Sequence, residues 1–202
     1  MDYSLSLVYE EEKVIRSCIN GDAWAMRLIY EEFYATMLPI CMRYANNDDD
    51  ARDIVHEGFI KVFKNISKYK VGTSLQAWIK RIMVNASIDY YRRESRKRTT
   101  DLDVAYDLRS CDEDALGKLN VEEIIKALQQ LSPIYRSVFN LYVVEGYSHK
   151  EVSEILGISE STSRSNLVKA RIKLRVILSA FMEGGQFPNR FADPNEECDE
   201  GF

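Results

Sequence analysis

From Arg164 to Arg175 the sequence carries five basic side chains, Arg164, Lys169, Arg171, Lys173 and Arg175, and no acidic one. A second basic cluster, Arg92, Arg93, Arg96, Lys97 and Arg98, includes Glu94 as its one acid. Clustered ammonium and guanidinium groups are what phosphate neutralisation requires, and the planar arginine fork also fits the two acceptors of guanine. Acids collect elsewhere, at Asp48 to Glu57, at Asp101 to Asp114 and after Glu183. The formal net charge of -5 argues against a free-standing, non-specific DNA binder, so the chain reads as two basic surfaces on an acidic body.

Catalytic chemistry has little to work with. The two histidines, His56 and His149, stand apart from each other and no glycine-rich phosphate loop is present. Cys18, Cys41, Cys111 and Cys198 are widely spaced and lack a neighbouring histidine, so they read as reduced cytosolic thiols, and no metal or cofactor is expected. There is no N-terminal signal pattern and no apolar run near the roughly 20 residues of a membrane span, which predicts a cytoplasmic protein without stable membrane insertion.

The elements that must carry these clusters are helices. β-Branched residues fall at helical spacing, and only four Pro and nine Gly interrupt 202 residues. The expected fold is all-α, with two small helical domains joined by a flexible acidic linker. Residues 10–98 form the first domain, in which Val55, Phe59, Val62, Phe63 and Ile66 make one apolar stripe and Leu75, Ile79, Ile82, Ala86 and Tyr90 another. Apolar periodicity lapses over 99–117, resumes for a second domain at 118–182, and gives way to an acidic, disordered and solvated tail at 183–202.

In the second domain the punctuation is explicit. Ser132-Pro133 reads as an N-cap followed by proline at the first helical position, and Gly146 as the end of that helix. Ser148 and Glu151 form a capping box, Gly157 breaks the short helix they start, and Ser159 caps a longer one, which is helix-turn-helix spacing. Ser163, Leu167, Ala170 and Leu174 then face inward, while Glu160, Ser161, Arg164, Ser165, Val168 and Arg171 face outward. Laid N-terminus first into a major groove, this helix presents Ser161, Arg164 and Ser165 to base edges, with Lys169, Arg171 and Arg175 on phosphates and Thr162 and Val168 within the same DNA-binding surface.

Two faces of the first domain are also polar by design of spacing. Asp50, Asp53 and Glu57 project three or four apart beside the Val55, Phe59 stripe, an array of carboxylates that calls for a basic partner. Arg81, Asn85, Ile88 and Arg92 share a face distinct from the core stripe, where Asn can bond a base edge and Arg a strand backbone. Tyr91 is a candidate strand contact, Trp78 is expected in the core, and Asp89 in a structural hydrogen bond.

The stretch LSPIYRSVFNLYVVEGYSHKEVSEILGISESTSRSNLVKARIKL resembles the fourth conserved region of RNA polymerase sigma factors, and DDDARDIVHEGFIKVFKNISKYKVGTSLQAWIKRIMVNASIDYYRRESRKR resembles the second conserved region in the extracytoplasmic-function group. Together they cover about three quarters of the chain. Ser163 stands where that family usually has an inward valine, Asn166 where a basic residue is usual, and His56 and Gly58 where glutamine and Thr or Val are common. The resemblance implies a sigma factor that binds core RNA polymerase and promoter DNA, reads the minus-thirty-five element as duplex and the minus-ten element as opened strand, and answers to an anti-sigma factor. It places core polymerase on Asp50, Asp53, Val55, Glu57 and Phe59, and the minus-ten strand on Arg81, Asn85, Ile88, Tyr91, Arg92, Arg93 and the loop Ser67 to Ser74. A stand-alone helix-turn-helix regulator is the competing reading, since the C-terminal motif is shared with such proteins; a purely protein-binding helical adaptor leaves both basic faces unexplained.

Overall fold

The computed structural model describes residues 3–97 and 120–182, all of them in helices or short connections. The expected acidic linker and tail lie outside the described residues, as do Cys111 and Cys198. The first half holds α1 (Tyr3–Ile19), α2 (Ala23–Met42), α3 (Asp48–Asn65), a 3-10 turn at Ile66–Lys68 and α4 (Leu75–Lys97). The second holds α5 (Val121–Gln129), α6 (Pro133–Phe139), a π-helical turn at Asn140–Val144, α7 (His149–Leu156) and α8 (Glu160–Met182).

Helix α3 starts where the side chain of Asn47 accepts the Asp50 N–H at 2.8 Å, and Asp48, Asp49 and Asp50 occupy its first turn, where the helix dipole favours negative charge. Its apolar stripe, with Val55, Phe59 and Val62 buried, packs between α2 and α4. Ile79, Met83, Ala86 and Tyr90 of α4 close that core, and Trp78 lies against it with its ring 5.5 Å from that of Tyr69. At Gly58 an added Cβ would sit 2.2 Å from the sulfur of buried Met83, so glycine here lets the two helices approach with methionine filling the gap. The two described cysteines, Cys18 and Cys41, are free and buried, and burial pushes the Cys41 thiol up to about 12.

The second half begins with a capping box that the sequence reading did not single out, Asn120 with Glu123, each bonding the other's backbone N–H. Ser132 occupies the N-cap position ahead of Pro133, but its hydroxyl makes no capping bond; it is buried and without a hydrogen-bond partner. Helix α6 does not run straight to Gly146. It widens at Asn140 into the π turn, in which the Glu145 N–H reaches the Asn140 carbonyl at 2.9 Å, before Gly146 at φ 79° turns the chain.

Two separate cores were expected, and each half has one, the second built from Ala127, Leu128, Leu131, Tyr135, Ala170 and Leu174. A third joins them. Tyr44, Val84, Ile88 and Tyr91 of the first half pack with Val138, Leu141, Val152, Leu156 and Leu167 of the second. Helix α4 therefore carries two apolar stripes, one for its own bundle and one for the other half.

Candidate nucleic-acid interface

Local hydrogen bonds build the helix-turn-helix. The Ser148 hydroxyl accepts the Glu151 N–H, the Glu151 carboxylate accepts the Ser148 N–H at 2.8 Å, and Gly157 closes α7 at φ 68°. These bonds favour the ionised carboxylate and hold Glu151 below its usual pKa. The Ser159 hydroxyl then accepts the Thr162 N–H at 3.0 Å to start α8, and lies within hydrogen-bond distance of the Ser161 and Thr162 hydroxyls.

Along α8 the two faces separate as the periodicity predicts. Ser163, Leu167, Ala170 and Leu174 are buried, and Glu160, Ser161, Arg164, Ser165, Val168 and Arg171 are exposed together with Thr162, Lys169 and Arg175. Val168 is 56% exposed, an apolar side chain in the middle of a polar face where a thymine methyl would be a fitting partner. Arg164 bonds Glu160 one turn back, a solvent-exposed pair easily exchanged for another acceptor. Lys169 and Lys173 extend over the ring of Tyr135, at 5.9 and 4.8 Å from its centre. Asn166 is buried, so it belongs to the packing of α8 and not to its outward basic row.

The face of α4 is divided. Arg81 and Asn85 are exposed, whereas Ile88 and Tyr91 are only 5% and 8% exposed, covered by the second half. Arg92 donates to the Ile155 carbonyl at 2.7 Å, and Arg93 pairs with Glu57 at 2.9 Å. The expectation that Ile88 and Tyr91 stand on an open polar face is corrected by this arrangement: spacing showed that they leave their own bundle's core, and the third core takes them up. Asp89 makes the structural bond expected of it, to Lys61 at 2.7 Å. In the loop Ser67 to Ser74 only Tyr69 is buried. Its hydroxyl sits 2.6 Å from the Glu11 carboxylate and 2.5 Å from the Thr73 carbonyl, and desolvation with that carboxylate raises it to about 12.

The carboxylates of α3 differ in their availability. Asp50 accepts the Tyr90 hydroxyl at 2.6 Å and Glu57 holds Arg93, while Asp53 is exposed. Val55 and Phe59 are buried in the first core, so they seat α3 and cannot themselves meet a partner in this arrangement. The face left open is Asp49, Asp53, His56 and Ile60, spaced four, three and four apart.

Polar contacts across the halves were invisible in the sequence. Glu145, at the end of the π turn, pairs with Arg43 at 3.1 Å and Lys80 at 2.8 Å. Buried Arg136 donates to the Ala45 carbonyl and to the Asn46 side chain, and Asn140 donates to the Arg43 carbonyl at 2.6 Å. The Tyr44 hydroxyl and the Asn140 side-chain oxygen are buried there without hydrogen-bond partners.

Among the described residues no group of three or more His, Cys, Asp or Glu side chains is placed to hold a metal, and no helix is long and apolar enough to cross a membrane.

Residues 29–97 match the family signature described as Sigma-70 region 2, and residues 121–174 match Sigma-70, region 4. Over 145 residues the chain is 30% identical to the ECF RNA polymerase sigma factor SigE of Mycolicibacterium smegmatis, covering 69% of this chain and 56% of that protein. It is 28% identical to the ECF RNA polymerase sigma factor SigW of Bacillus subtilis over 176 residues, 81% of this chain and 94% of that one. A solved sigma factor, RpoE of Bartonella quintana in complex with the anti-sigma factor NepR, aligns with 74% of this chain and 96% of its own at 22% identity, with a TM-score of 0.44.

Proposed function

The chain belongs to the sigma-70 family of RNA polymerase sigma factors, in the extracytoplasmic-function group, and from that premise we propose that it binds core polymerase and directs initiation at promoters through two DNA-reading surfaces. The observation that carries this reading is the outward face of α8, on which Arg164, Ser165, Val168 and Arg171 are all exposed on a helix whose N-terminus is fixed by a capping serine. Helix α8 enters the major groove of the minus-thirty-five duplex, with Ser161, Thr162, Arg164, Ser165 and Val168 toward base edges and Lys169, Arg171 and Arg175 toward phosphates. Helix α4 receives the opened minus-ten strand, Asn85 with the Ser67 to Ser74 loop holding an extruded base and Arg81, Arg92 and Arg93 its flanking backbone. The open face of α3, with Asp53 at its centre and Asp50 and Glu57 beside it, docks on a basic surface of the polymerase. Nucleotide addition belongs to the core enzyme, so the chain itself contributes recognition and strand capture, in the cytoplasm where polymerase works. An anti-sigma factor is the regulator this arrangement fits, acting on the surfaces that face each other between residues 10–98 and 118–182.

The decisive experiment adds the purified chain to sigma-free core polymerase and measures promoter-specific transcription. Start-site-specific transcripts that require both proteins are expected. No transcripts from the mixture, with protection of a palindromic duplex by the chain alone, would instead identify a stand-alone helix-turn-helix regulator.

Strand capture carries a conformational requirement. Ile88 and Tyr91 reach a strand only after α4 parts from α6 and α7, and Arg92 must exchange the Ile155 carbonyl for a phosphate. Glu145→Ala leaves Arg43 and Lys80 facing each other without the carboxylate between them, and shifts the population toward parted halves by roughly tenfold. Spin-label distances between positions 27 and 175 report this, and a distance distribution identical to wild type would sink the requirement.

A further inference from the structure

Two polar side chains of α8 turn inward, Ser163 and Asn166, and Ser163 is the more deeply buried, at 0% exposure. A buried hydroxyl without a partner is costly, and this one has a partner from another helix, Nδ1 of His149 at 2.9 Å. His149 is the first residue of α7, and its ring stacks on Tyr142 of the π turn, with ring centres 4.1 Å apart and planes 20° from parallel. One imidazole thus joins the three segments whose relative placement defines the helix-turn-helix: the π turn by stacking, α7 covalently, and α8 by a hydrogen bond. Desolvation, then Arg164 and Arg171 of α8, hold its pKa below the usual histidine value against the opposing pull of Glu160, so near neutral pH the ring is uncharged; Lys150 and Glu151 flank it on α7.

Placement of this bond matters because Ser163 immediately precedes Arg164. Neighbouring residues on a helix differ by about 100° in direction, so a bond that sets the rotation of α8 at Ser163 also sets where Arg164 and Ser165 point. Farther along the helix the inward contacts are mainly apolar, Leu167, Ala170 and Leu174 with buried Asn166 beside them, and apolar packing resists separation more than it resists slight rotation.

We propose that His149 is a positioning residue for promoter reading, fixing through the Ser163 hydroxyl the rotation and depth of α8 and thereby the base edges that Arg164 and Ser165 meet. This rests on the reading of α8 as the minus-thirty-five helix. It assigns to His149, acting through Ser163, a share in sequence discrimination.

The test uses holoenzyme reconstituted from core polymerase and the full chain, with a duplex library randomised at the minus-thirty-five hexamer ahead of a fixed minus-ten region. Binding to the duplex that wild type enriches is compared with binding to a scrambled one. Ser163→Val and His149→Ala each lower that preference about five- to tenfold, and the double variant loses no more than either single one. Ser163→Thr, which has the shape of valine but keeps a hydroxyl, stays within about twofold of wild type, as a structural filling role would not require. The salt dependence of binding to the scrambled duplex is the same in all variants, because phosphate contacts are untouched. Equal losses for Ser163→Thr and Ser163→Val, an undiminished preference in Ser163→Val, or losses that multiply in the double variant would each overturn the proposal. Absence of any preference in wild type would instead strike at the minus-thirty-five reading, and the proposal would fall with it.

Discussion

Arg164→Ala lowers the preference of the holoenzyme for its minus-thirty-five sequence by about 10- to 100-fold, the worth of one well-made bidentate contact to a base. The side chain leaves the first turns of α8 on the exposed face, where its described partner is Glu160, four residues back. An exposed pair at that spacing contributes only a few tenths of a kcal/mol, so the guanidinium exchanges it for guanine at little cost. Thermal stability stays near that of wild type, because no buried group loses a partner. The salt slope of binding also changes little, since a base contact and not a phosphate contact is lost. Holoenzyme affinities for matched and scrambled minus-thirty-five duplexes decide the matter: equal weakening on both would show that Arg164 serves the backbone, and no change would remove it from the interface.

Asn85→Ala leaves closed-complex formation nearly intact and lowers the yield of opened promoter by about tenfold or more, for an amide that makes two hydrogen bonds to one base edge. Asn85 is exposed between the two apolar stripes of α4, one facing its own bundle and the other facing the second half. Position, and not stability, is therefore what its substitution perturbs. Permanganate reactivity of minus-ten thymines, set beside closed-complex affinity at low temperature, separates the two steps. Equal losses in both would refute the assignment of strand capture to this face, and the contrast with Arg164→Ala tests whether the two halves divide promoter recognition between them.

Much of the second half was legible from its sequence because its boundaries are written in short-range hydrogen bonds. The Ser148 and Glu151 box, the left-handed Gly157 and the Ser159 cap each involve residues within a few positions of one another. The inward and outward faces of α8 followed from its period, for the same local reason. Ser132 shows the limit of that reasoning. It occupies the expected cap position, yet whether its hydroxyl bonds the helix start depends on neighbours that local sequence does not name, and here it does not. The acidic face of α3 was legible as a face, but which carboxylates remain free was not: Tyr90 lies 40 residues from Asp50, and Arg93 lies 36 from Glu57.

By itself the sequence determined the all-helical class, the helix-turn-helix with its two faces, and through paired resemblances the sigma-factor family, since period, caps and motif order are properties of the chain read in one dimension. Tertiary structure decided what covers each face. Ile88 and Tyr91 leave one core only to enter another, Val55 and Phe59 seat α3 and leave Asp53 and Ile60 outside, and Glu145 meets Arg43 and Lys80 across the seam. The same holds for Ser163, whose inward direction was plain but whose partner, His149, was not. Periodicity tells which side of a helix avoids water; only the packing of distant segments tells what replaces the water there.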